Sequence, residues 1–580
     1  MRILLFLTKG VTFNIISFMK VLLVSINASY MHTNVAIRSL KAYAEKKLSG
    51  GSMPEIQCVE YTINQPVGEV LRGIGFTGAD MVLFSTYIWN AEYVCKILPD
   101  VKKILPSCVI GAGGPEFGYA PEKYLNMMST LDFVMYGEGE ESFTQLMKEN
   151  SPSVDVSKIK GIYYRNPENK KIEYTGNQPL IENIDELPFP YPEILAGDFD
   201  PDHKIYYYES TRGCPFGCAY CLSSVDKRVR FKSLPQVQKE LQIFLDADIK
   251  LVKFIDRTYN LNPDRYIPIW QYILEHHNGK TMFHFGIEAE YLSDEALEFL
   301  QKIPEGIMQF EMGVQSANKE TLRAVNRSDN IEVLAKKIQQ IPRTIHQHLD
   351  LIAGLPYEDL ESFGRSYDYV MSLKPDALQL GFLKVLNGTQ MADFAAKNGW
   401  KWMENPFYET FSTPYLSFEN IAYLKNVEIA TDAYWNKGTF ASTMNYIFRH
   451  LSPWAFMCTI VDFGEKQGAF TQARKESYWF ELIFNCISEI QLPCTDSALI
   501  KDLLRYDFVR SGKKGNFPSW YQHIYDKDKH RELLENQGLL NNSRIAFSVT
   551  EYEEFDYDVM QELPENYKGH CKLLIKYQEK

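Results

Sequence analysis

The chain has 580 residues, which is too long for one hydrophobic core and indicates about two to four domains. Its composition, with 45% hydrophobic and 14% aromatic residues, excludes an intrinsically disordered protein. Lys and Arg total 61 against 74 Asp and Glu, and the net charge of −13 makes nucleic acid an unexpected partner.

The N-terminal segment, residues 1–19, is apolar but is interrupted by polar residues and is too short to span a bilayer. No small-residue cleavage site follows it, and a clean strand pattern begins after Met19. We interpret the segment as a non-native or disordered extension, with a targeting segment as the alternative. Most of the ten cysteines are scattered without disulfide spacing, so we expect a cytoplasmic protein without membrane association.

Residues 20–150 alternate strand patterns with helical ones. The strand-like runs are Val21–Ile26, Ile56–Tyr61, Met81–Ile88, Cys108–Ile110 and Asp132–Tyr136. Unbroken apolar runs are typical of buried parallel strands. The pattern predicts a Rossmann-like, doubly wound α/β domain, whose ligand would lie at the carboxyl ends of the strands.

Glycine and polar residues occupy those strand ends. The runs Gly111-Ala-Gly-Gly-Pro115 and Tyr136-Gly-Glu-Gly-Glu-Glu141 resemble the cobalamin-binding domain that precedes many radical S-adenosylmethionine (SAM) domains. The resemblance implies bound cobalamin. The residues assigned to it are Asn27, Ser29, Ser85, Tyr87, Gly113, Gly114, Gly137 and Glu138. The alternative is ordinary turn chemistry in a Rossmann-like domain without a ligand.

One motif of other cobalamin proteins is absent. Those proteins supply a lower cobalt ligand from an Asp-x-His-x-x-Gly motif, which this sequence lacks. His32 lies near the corresponding loop but stands in Tyr-Met-His-Thr-Asn. We therefore expect cobalt to have no protein histidine below it, and we interpret His32 as a loop or helix-start residue.

Residues 151–203 are predicted to form a connector. The runs Gly161–Arg165 and Lys171–Thr175 flank Asn-Pro-Glu-Asn, which indicates a hairpin. The proline-rich stretch Leu187–Pro192 is expected to be extended and to mark the next domain boundary.

Residues 204–390 repeat a strand–helix unit. The predicted strands are Ile205–Glu209, Leu251–Asp256, Met282–Glu290, Ile307–Val314, His348–Ala353 and Ala377–Val385. These units are too few to close an eight-stranded barrel, so they predict a partial (β/α)6 barrel of the TIM type. Active sites in such folds lie at the carboxyl ends of the strands.

The first of these strands leads into Thr211-Arg-Gly-Cys-Pro-Phe-Gly-Cys-Ala-Tyr-Cys221. Thiolates at this spacing converge on one centre if the loop curls, and they suit zinc or an iron–sulfur cluster. A closed zinc site needs a fourth ligand, whereas a four-iron cluster held by three cysteines leaves one iron open to a small molecule. A zinc loop lacking a ligand and three unrelated thiols are the alternatives.

The Cys-x3-Cys-x2-Cys spacing, with Tyr220 before the third cysteine, resembles the radical SAM signature. The resemblance implies that Cys214, Cys218 and Cys221 are catalytic and hold a [4Fe–4S] cluster whose open iron binds SAM. It further implies that the reduced cluster cleaves SAM to a 5′-deoxyadenosyl radical. An external one-electron reductant such as flavodoxin or ferredoxin is then required.

Polar residues and glycines at the barrel strand ends are the expected SAM contacts. By the same resemblance, Gln315 and Ser316 would lie near the amino-acid or ribose groups, and Glu290 near the ribose. The full set assigned to SAM is Tyr220, Asp256, Glu290, Gly313, Gln315, Ser316, Ile352 and Gly354. Any one of the carboxylates, taken alone, fits a helix cap or a solvated strand end equally well.

Residues 391–580 are predicted to form a mainly helical domain of unknown role. A long helical pattern begins at Ser417, Gly438 is placed to end it, and Ile545–Val549 and Leu573–Tyr577 are predicted to be late strands. The layout of residues 20–580 resembles a bacterial family of cobalamin-type radical SAM proteins with an uncharacterised C-terminal domain.

The sequence thus predicts a radical SAM enzyme that, with cobalamin, transfers a methyl group to an unactivated carbon of an unknown organic substrate. One alternative is a cobalamin-associated oxidative cyclisation or rearrangement, and another is a non-catalytic cobalamin or metal sensor. A tRNA-modifying methylthiotransferase usually has a second cluster domain and a basic RNA-binding tail, and the sequence indicates neither.

Overall fold

The computed structural model describes residues 19–51, 53–151, 154–512, 518–521, 526–539, 546–547 and 550–576. These residues form an α/β region, a second region built on a parallel sheet, and a mainly helical region. The predicted fold class is therefore confirmed. The extension before Met19 lies outside the described residues. None of the helices in the described part of the chain has the length and apolar character needed to cross a bilayer.

The first region is a seven-stranded sheet with helices on both faces. Its strands are β1 (Lys20–Asn27), β2 (Glu55–Thr62), β3 (Met81–Ser85), β4 (Val109–Gly113), β5 (Phe133–Met135), β6 (Ile162–Arg165) and β7 (Ile172–Tyr174). Its helices are α1 (Val35–Lys47), α2 (Val67–Thr77), α3 (Ala91–Ile104), α4 (Pro115–Tyr119), α5 (Pro121–Met127) and α6 (Gly139–Glu149). The strand order is β2-β1-β3-β4-β5-β6-β7, and β1 to β5 are parallel.

Alternate residues of β1 enter two separate cores. Leu22, Val24 and Ile26 pack in the core that α2 and α3 cover, whereas Val21 and Leu23 pack in the core that α1 and α6 cover. Burial on both faces explains the unbroken apolar run. β3 ends at Ser85, before the predicted Ile88, because the Asn90 amide donates to the carbonyls of Ser85 and Ile26 and turns the chain.

The hairpin predicted within the connector forms, but it belongs to the first sheet. β6 pairs antiparallel with β5, and β7 pairs antiparallel with β6. β5 would otherwise be an edge strand with unpaired backbone groups, which the hairpin satisfies. The first region thus extends beyond residue 150. The proline-rich segment that follows includes the short helix α7 (Pro192–Ala196).

The second region is a partial barrel. Its strands are β8 (Ile205–Tyr208), β9 (Thr211–Arg212), β10 (Arg230–Phe231), β11 (Leu251–Phe254), β12 (Met282–Ile287), β13 (Met308–Gln315), β14 (His346–Ala353) and β15 (Ala377–Phe382). Its helices are α8 (Leu234–Asp246), α9 (Pro263–His276), α10 (Asp294–Leu300), α11 (Lys319–Ala324), α12 (Ile331–Gln340), α13 (Leu360–Ser372) and α14 (Gln390–Lys397). The six-stranded parallel sheet has the order β15-β14-β13-β12-β11-β8, so β8 and β15 are open edges.

The first region covers one of those open edges. The amide of Ile205 on β8 donates to the carbonyl of Met31 at 2.7 Å, and the Thr33 hydroxyl donates to the carbonyl of Ile205 at 2.8 Å. A loop that follows β1 therefore protects the backbone groups that β8 would otherwise expose. This contact fixes the first region against the side of the barrel.

The third region is mainly helical. Its helices are α15 (Phe418–Thr431), α16 (Ala441–His450), α17 (Pro453–Lys466), α18 (Glu476–Glu489), α19 (Ser497–Arg510) and α20 (Lys527–Asn536). Its strand pairs are β16 (Lys401–Trp402) with β17 (Thr410–Ser412), and β18 (Thr550–Tyr557) with β19 (Lys568–Lys576). Ser417 caps α15 through a reciprocal hydrogen-bond pair with Asn420, as its position before the helical pattern predicts.

The late strands differ from their predicted positions. Of the predicted strand Ile545–Val549, the structure describes Ala546 and Phe547, which are helical, and β18 begins at Thr550. The acidic residues of β18 conceal its strand character, because charged residues are rare in buried strands. The second predicted strand overlaps β19 over residues 573–576.

Candidate active site

The cysteine loop, residues 213–229, begins and ends at one point of the structure. Its flanking strands β9 and β10 pair antiparallel, so that Arg212 lies opposite Arg230. The chain curls within the loop, where the amide of Cys221 donates to the carbonyl of Cys218 at 3.1 Å. Gly213 adopts a φ of +87°, and a β-carbon there would lie 1.9 Å from the Arg228 carbonyl oxygen. Only glycine fits this entry to the loop.

The cysteine donors fit a cluster better than a single ion. Cys214 is buried, and Cys218 and Cys221 are half-buried. Among the residues that the structure describes, no group of three or more His, Cys, Asp or Glu is arranged to hold one metal ion. In a four-iron cluster each cysteine binds its own iron, so the sulfurs need not meet at one point.

An arginine that the sequence analysis missed, with a side chain 14% exposed, lies beside Cys218. Arg327 donates to the Cys218 sulfur at 3.8 Å, to the Glu288 carboxylate at 2.8 Å and to the Gly313 carbonyl at 2.7 Å. Burial raises the pKa of the Cys218 thiol, and the charge of Arg327 opposes that rise. Arg327 follows the helix α11 and not a strand, so a search for polar residues at the ends of strands did not find it.

Asp256 holds the segment that leads into the cysteine loop. Its carboxylate is buried and accepts hydrogen bonds from the amides of Ser210 and Thr211 at 2.7 and 3.1 Å, and from the Ser210 hydroxyl. Burial raises the pKa of Asp256 to about 6, although the bonds from Ser210 lower it. The Asp256 carboxylate is therefore engaged by the segment that leads into the cysteine loop, and its predicted contact with SAM stays a prediction.

Two unsatisfied acceptors lie on neighbouring barrel strands. The side-chain oxygens Gln315 Oε1 and Asp350 Oδ1 are buried without a hydrogen-bond partner among the described residues. Asp350 on β14 lies opposite Gly313 on β13. A β-carbon on Gly313 would lie 2.0 Å from the Gln315 amide nitrogen, so the end of the Gln315 side chain packs against this glycine. Buried acceptors without donors are costly, and a ligand carrying hydroxyl groups would satisfy both.

An apolar wall adjoins the cysteine loop. Tyr220 and Ile352 both pack against the buried cluster that includes Ala219 and Leu355. Gly354 borders the same wall, because its carbonyl accepts a hydrogen bond from the indole of Trp400 at 3.4 Å. These predicted SAM residues are thus brought together with the cysteines.

Two other predicted SAM residues are occupied by protein partners. The hydroxyl of Ser316 is buried and donates to Glu358 at 2.6 Å. Glu290 accepts a hydrogen bond from Asn330 at 3.0 Å and lines a small recess beside Arg327. Neither contact was evident in the sequence, because each joins residues that are 40 or more positions apart.

A large cavity separates the carboxyl edge of the first sheet from the cysteine loop. Its volume is about 860 Å³, and its wall includes Thr211, Gly213 and Leu222 of the second region. Six of the predicted cobalamin residues line it: Ser85, Tyr87, Gly113, Gly114, Gly137 and Glu138. The volume lies near the upper end of the roughly 300–1,000 Å³ range of ligand pockets, which suits a large cofactor.

Asn27 and Ser29 do not line this cavity. The Asn27 amide donates to the His32 carbonyl at 2.8 Å and to Glu60 at 3.2 Å, so it holds the loop after β1 in place. That loop turns towards β8, where His32 Nδ1 lies 2.6 Å from the Tyr207 hydroxyl. No histidine is among the described residues that line the cavity.

Backbone geometry at the cavity wall leaves room for a close approach. Gly114 has a φ of +99°, and a β-carbon there would lie 2.5 Å from the Thr86 carbonyl oxygen. At Gly137, whose φ is +79°, a β-carbon would meet no atom within 4 Å. The glycines let the backbone lie against a bound group, so this edge fits the corrin or nucleotide of cobalamin.

Comparison with family models divides the chain into three matched segments. Residues 21–147 match "B12 binding domain", residues 208–370 match "Radical SAM superfamily", and residues 396–574 match "Protein of unknown function (DUF4080)". The matches confirm the resemblances drawn from the glycine loops and the cysteine motif. A radical SAM domain implies a [4Fe–4S] cluster and SAM, and a B12 binding domain implies cobalamin.

Similar proteins carry related descriptions. An uncharacterized methyltransferase of Pyrococcus horikoshii is 26% identical over 337 residues, which cover 56% of this chain and 69% of that protein. The cobalamin-dependent radical SAM methyltransferase TokK of Streptomyces tokunonensis is 24% identical, and the match covers 56% of this chain and only 49% of TokK. The structure of the cobalamin-dependent SAM radical enzyme OxsB with aqua-cobalamin bound superposes with a TM-score of 0.61 at 15% identity, covering 92% of this chain and 84% of OxsB. That last likeness shows the fold.

Proposed function

We propose that this chain, which belongs to the radical SAM proteins with a B12 binding domain and a DUF4080 domain, methylates an unactivated carbon of an organic substrate. One observation carries the proposal. The cavity of about 860 Å³ is bounded on one side by glycine loops of the B12 binding domain and on the other by the cysteine loop. A corrin in this cavity would lie against the loop whose cysteines hold the cluster, although the cysteines themselves are not in the cavity lining.

Each group has its own set of residues in the proposal. Cys214, Cys218 and Cys221 hold the cluster, while Gly113, Gly114 and Gly137 provide the surface for cobalamin. One-electron cleavage of SAM to a 5′-deoxyadenosyl radical and donation of a methyl group are the chemistry that these cofactors supply when bound. The protein holds the reacting groups together and excludes water from them.

The unsatisfied acceptors Gln315 Oε1 and Asp350 Oδ1 would receive the two ribose hydroxyl groups of SAM. Arg327 offers a cation for the carboxylate of the methionine part, because the planar guanidinium group matches the geometry of a carboxylate. Glu288, which pairs with Arg327, and Glu290 are the nearby acceptors for an amino group. Tyr220 and Ile352 would cover the adenine.

The electron is expected to come from a small one-electron carrier such as flavodoxin or ferredoxin. A cobalamin-associated cyclisation or rearrangement is the alternative outcome after hydrogen abstraction. The two outcomes differ in the product, because methylation adds one carbon and cyclisation adds none. A non-catalytic sensor would have no use for the unsatisfied acceptors of Gln315 and Asp350 on neighbouring barrel strands.

The test is anaerobic reconstitution of the full chain, followed by addition of hydroxocobalamin, reductant and SAM. We expect release of 5′-deoxyadenosine and one cobalamin per chain, without nitrogen hyperfine splitting from a lower ligand in the cob(II) electron paramagnetic resonance spectrum. Gln315→Ala should weaken SAM binding at normal iron content. A wild-type protein that neither binds cobalamin nor releases 5′-deoxyadenosine would refute the proposal. With candidate substrates, the mass of the product separates methylation from cyclisation.

A further inference from the structure

Two arginines stand at the base of the cysteine loop. Arg212 on β9 precedes the loop, Arg230 on β10 follows it, and the two residues are opposite each other in the strand pair. Their side chains are 12% and 7% exposed. Two adjacent guanidinium groups repel each other at this burial, so they require carboxylate partners. Each arginine has one carboxylate partner nearby in its own region, since Arg212 lies 2.9 Å from Glu209 and Arg230 lies 3.2 Å from Asp226.

The contacts that cross to the first region involve two other acids. Arg230 binds Glu138 through two contacts of 2.5 and 3.1 Å, and Arg212 binds Glu140 through two contacts of 2.5 and 3.3 Å. Arg212 also lies 3.6 Å from Glu138, which joins the two pairs. Paired contacts between a guanidinium and a carboxylate fix direction as well as distance.

Both acids sit where the first sheet meets the cavity. Glu138 follows Gly137 and precedes α6, and it makes no side-chain cap on its own helix, so its carboxylate is free to reach Arg230. Although burial raises the pKa of Glu140, the charge and hydrogen bonds of Arg212 lower it below the ordinary value. The negative charge of Glu140 is therefore maintained inside the interface.

One donor of this network is unused. Arg230 Nε is buried and has no hydrogen-bond partner in the described part of the chain, while Arg230 lines the cavity. A buried N–H without an acceptor costs free energy, and a bound molecule with an oxygen acceptor would relieve that cost. The corrin ring of cobalamin carries amide side chains that offer such acceptors.

We propose that Arg212, Arg230, Glu138 and Glu140 form a clamp that fixes the cysteine loop against the cobalamin side of the cavity, with Arg230 Nε binding an amide oxygen of cobalamin. The clamp residues are positioning residues and take no part in bond making. The inference rests on the proposed function, because it states that these four side chains set the distance between the cluster and the cobalt. It predicts that the two cofactor sites are energetically coupled.

The experiment uses the full reconstituted chain and compares wild type with Arg230→Gln, Arg230→Lys and Glu138→Gln. Cobalamin affinity is measured by absorbance titration. The magnetic interaction between the reduced cluster and cob(II) is measured by electron paramagnetic resonance, because it depends on their separation. We expect affinity about tenfold weaker in each variant and a changed magnetic interaction, at wild-type iron content.

Arg230→Lys distinguishes a role of Arg230 in positioning the cofactors from a role in balancing the charge of Glu138. Lysine keeps the charge of Arg230 but lacks the fork and the Nε donor. If Arg230→Lys restores both affinity and magnetic interaction, or if Arg230→Gln and Glu138→Gln leave both unchanged, the clamp is refuted. If Arg230→Gln loses iron through misfolding, Arg230→Lys alone carries the test. A wild type that binds no cobalamin would instead refute the proposed function.

A matched control is available on the surface of the barrel. Arg365 on α13 pairs with Glu361 at 2.6 Å, and the two side chains are 65% and 85% exposed. Exposed pairs of this kind contribute little free energy. Arg365→Gln should leave cobalamin affinity, iron content and the magnetic interaction at wild-type values.

Discussion

Asp256 and Asp350 illustrate how the surroundings of a carboxyl group affect its hydrogen bonding and its pKa. Asp256 accepts hydrogen bonds from Ser210 and Thr211, and its pKa rises to about 6. Asp350 Oδ1 has no hydrogen-bond partner among the described residues, and burial followed by the charge of Glu311 raises the pKa of Asp350 to about 8. Asp256 is thus satisfied by the protein, whereas Asp350 keeps one oxygen without a donor. At the residue scale, the hydrogen bonds of a carboxylate therefore distinguish one that holds the backbone from one that has an oxygen free to accept a hydrogen bond.

Asp350→Asn is expected to change how stability depends on pH. Between the ordinary value near 4 and the folded value of about 8, the unfolded carboxyl has lost its proton while the folded one keeps it. Stability of the wild type then falls as pH rises through this window, by up to about 1.4 kcal/mol per pH unit for this group. Asparagine has no such proton, so the free energy of unfolding of the variant, relative to that of the wild type, should increase with pH up to about pH 8.

Urea denaturation followed by fluorescence, without SAM, measures this difference between about pH 5 and pH 9. Parallel profiles for wild type and Asp350→Asn would contradict the prediction. Asp198→Asn is the control, because Asp198 is exposed in the connector.

At the scale of elements, the cysteine loop depends on neighbours distant in sequence. The amide of Ala219 donates to the Val325 carbonyl at 3.0 Å, and the amide of Cys214 donates to the Asp226 carbonyl at 3.1 Å. The loop is thus held by the segment after α11 as well as by its own turns. This support suggests that the loop keeps its shape when the thiols are removed.

Replacing Cys214, Cys218 and Cys221 together by alanine should abolish binding of about four irons per chain after reconstitution. Iron analysis and visible absorbance check this, and circular dichroism checks the fold. Cys58→Ala and Cys486→Ala should retain iron, because burial raises the pKa of each of these thiols to about 12 and keeps it protonated. Retention of iron by the triple variant would overturn the assignment.

At the scale of the whole molecule, the cavity exists only because the first region is docked on the barrel. The contacts of β8 with the loop after β1 and the pairs between Arg212, Arg230, Glu138 and Glu140 lie at the interface between the two regions. The protein thereby encloses a space that neither region has by itself. A ligand that fills this space should stabilise the folded state.

Hydroxocobalamin at a hundredfold excess over its dissociation constant should add about 2.7 kcal/mol to the free energy of unfolding. Gly114→Ala should largely remove this gain, because the φ of +99° excludes a side chain and the β-carbon would clash with Thr86. The shift of the thermal unfolding midpoint on adding cobalamin measures this gain in the wild type and in Gly114→Ala. Gly68→Ala is the matched control, since a β-carbon on this glycine of α2 meets no atom within 4 Å. An equal shift in Gly114→Ala and wild type would contradict the prediction.

The sequence by itself determined the local features of this protein. Buried parallel strands are marked by continuous apolar runs such as Val21–Ile26, and Ser417 marks a helix start, because both signals lie within a few residues. The cysteine spacing determined the likeness to radical SAM proteins for the same reason. The positions of Gly113, Gly114 and Gly137 after predicted strands placed them at the same edge of the sheet, since parallel strands bring their carboxyl ends to one edge.

Only the tertiary structure decided which distant side chains meet. Arg327 lies beside Cys218 although 109 positions separate them, and Arg230 meets Glu138 across 92 positions. No periodicity links such residues, because their contact depends on how the regions dock. Packing within each region likewise engages the Asn27 amide with the His32 carbonyl and leaves Asp350 Oδ1 without a hydrogen-bond partner among the described residues, since burial and hydrogen bonding are properties of the packed chain.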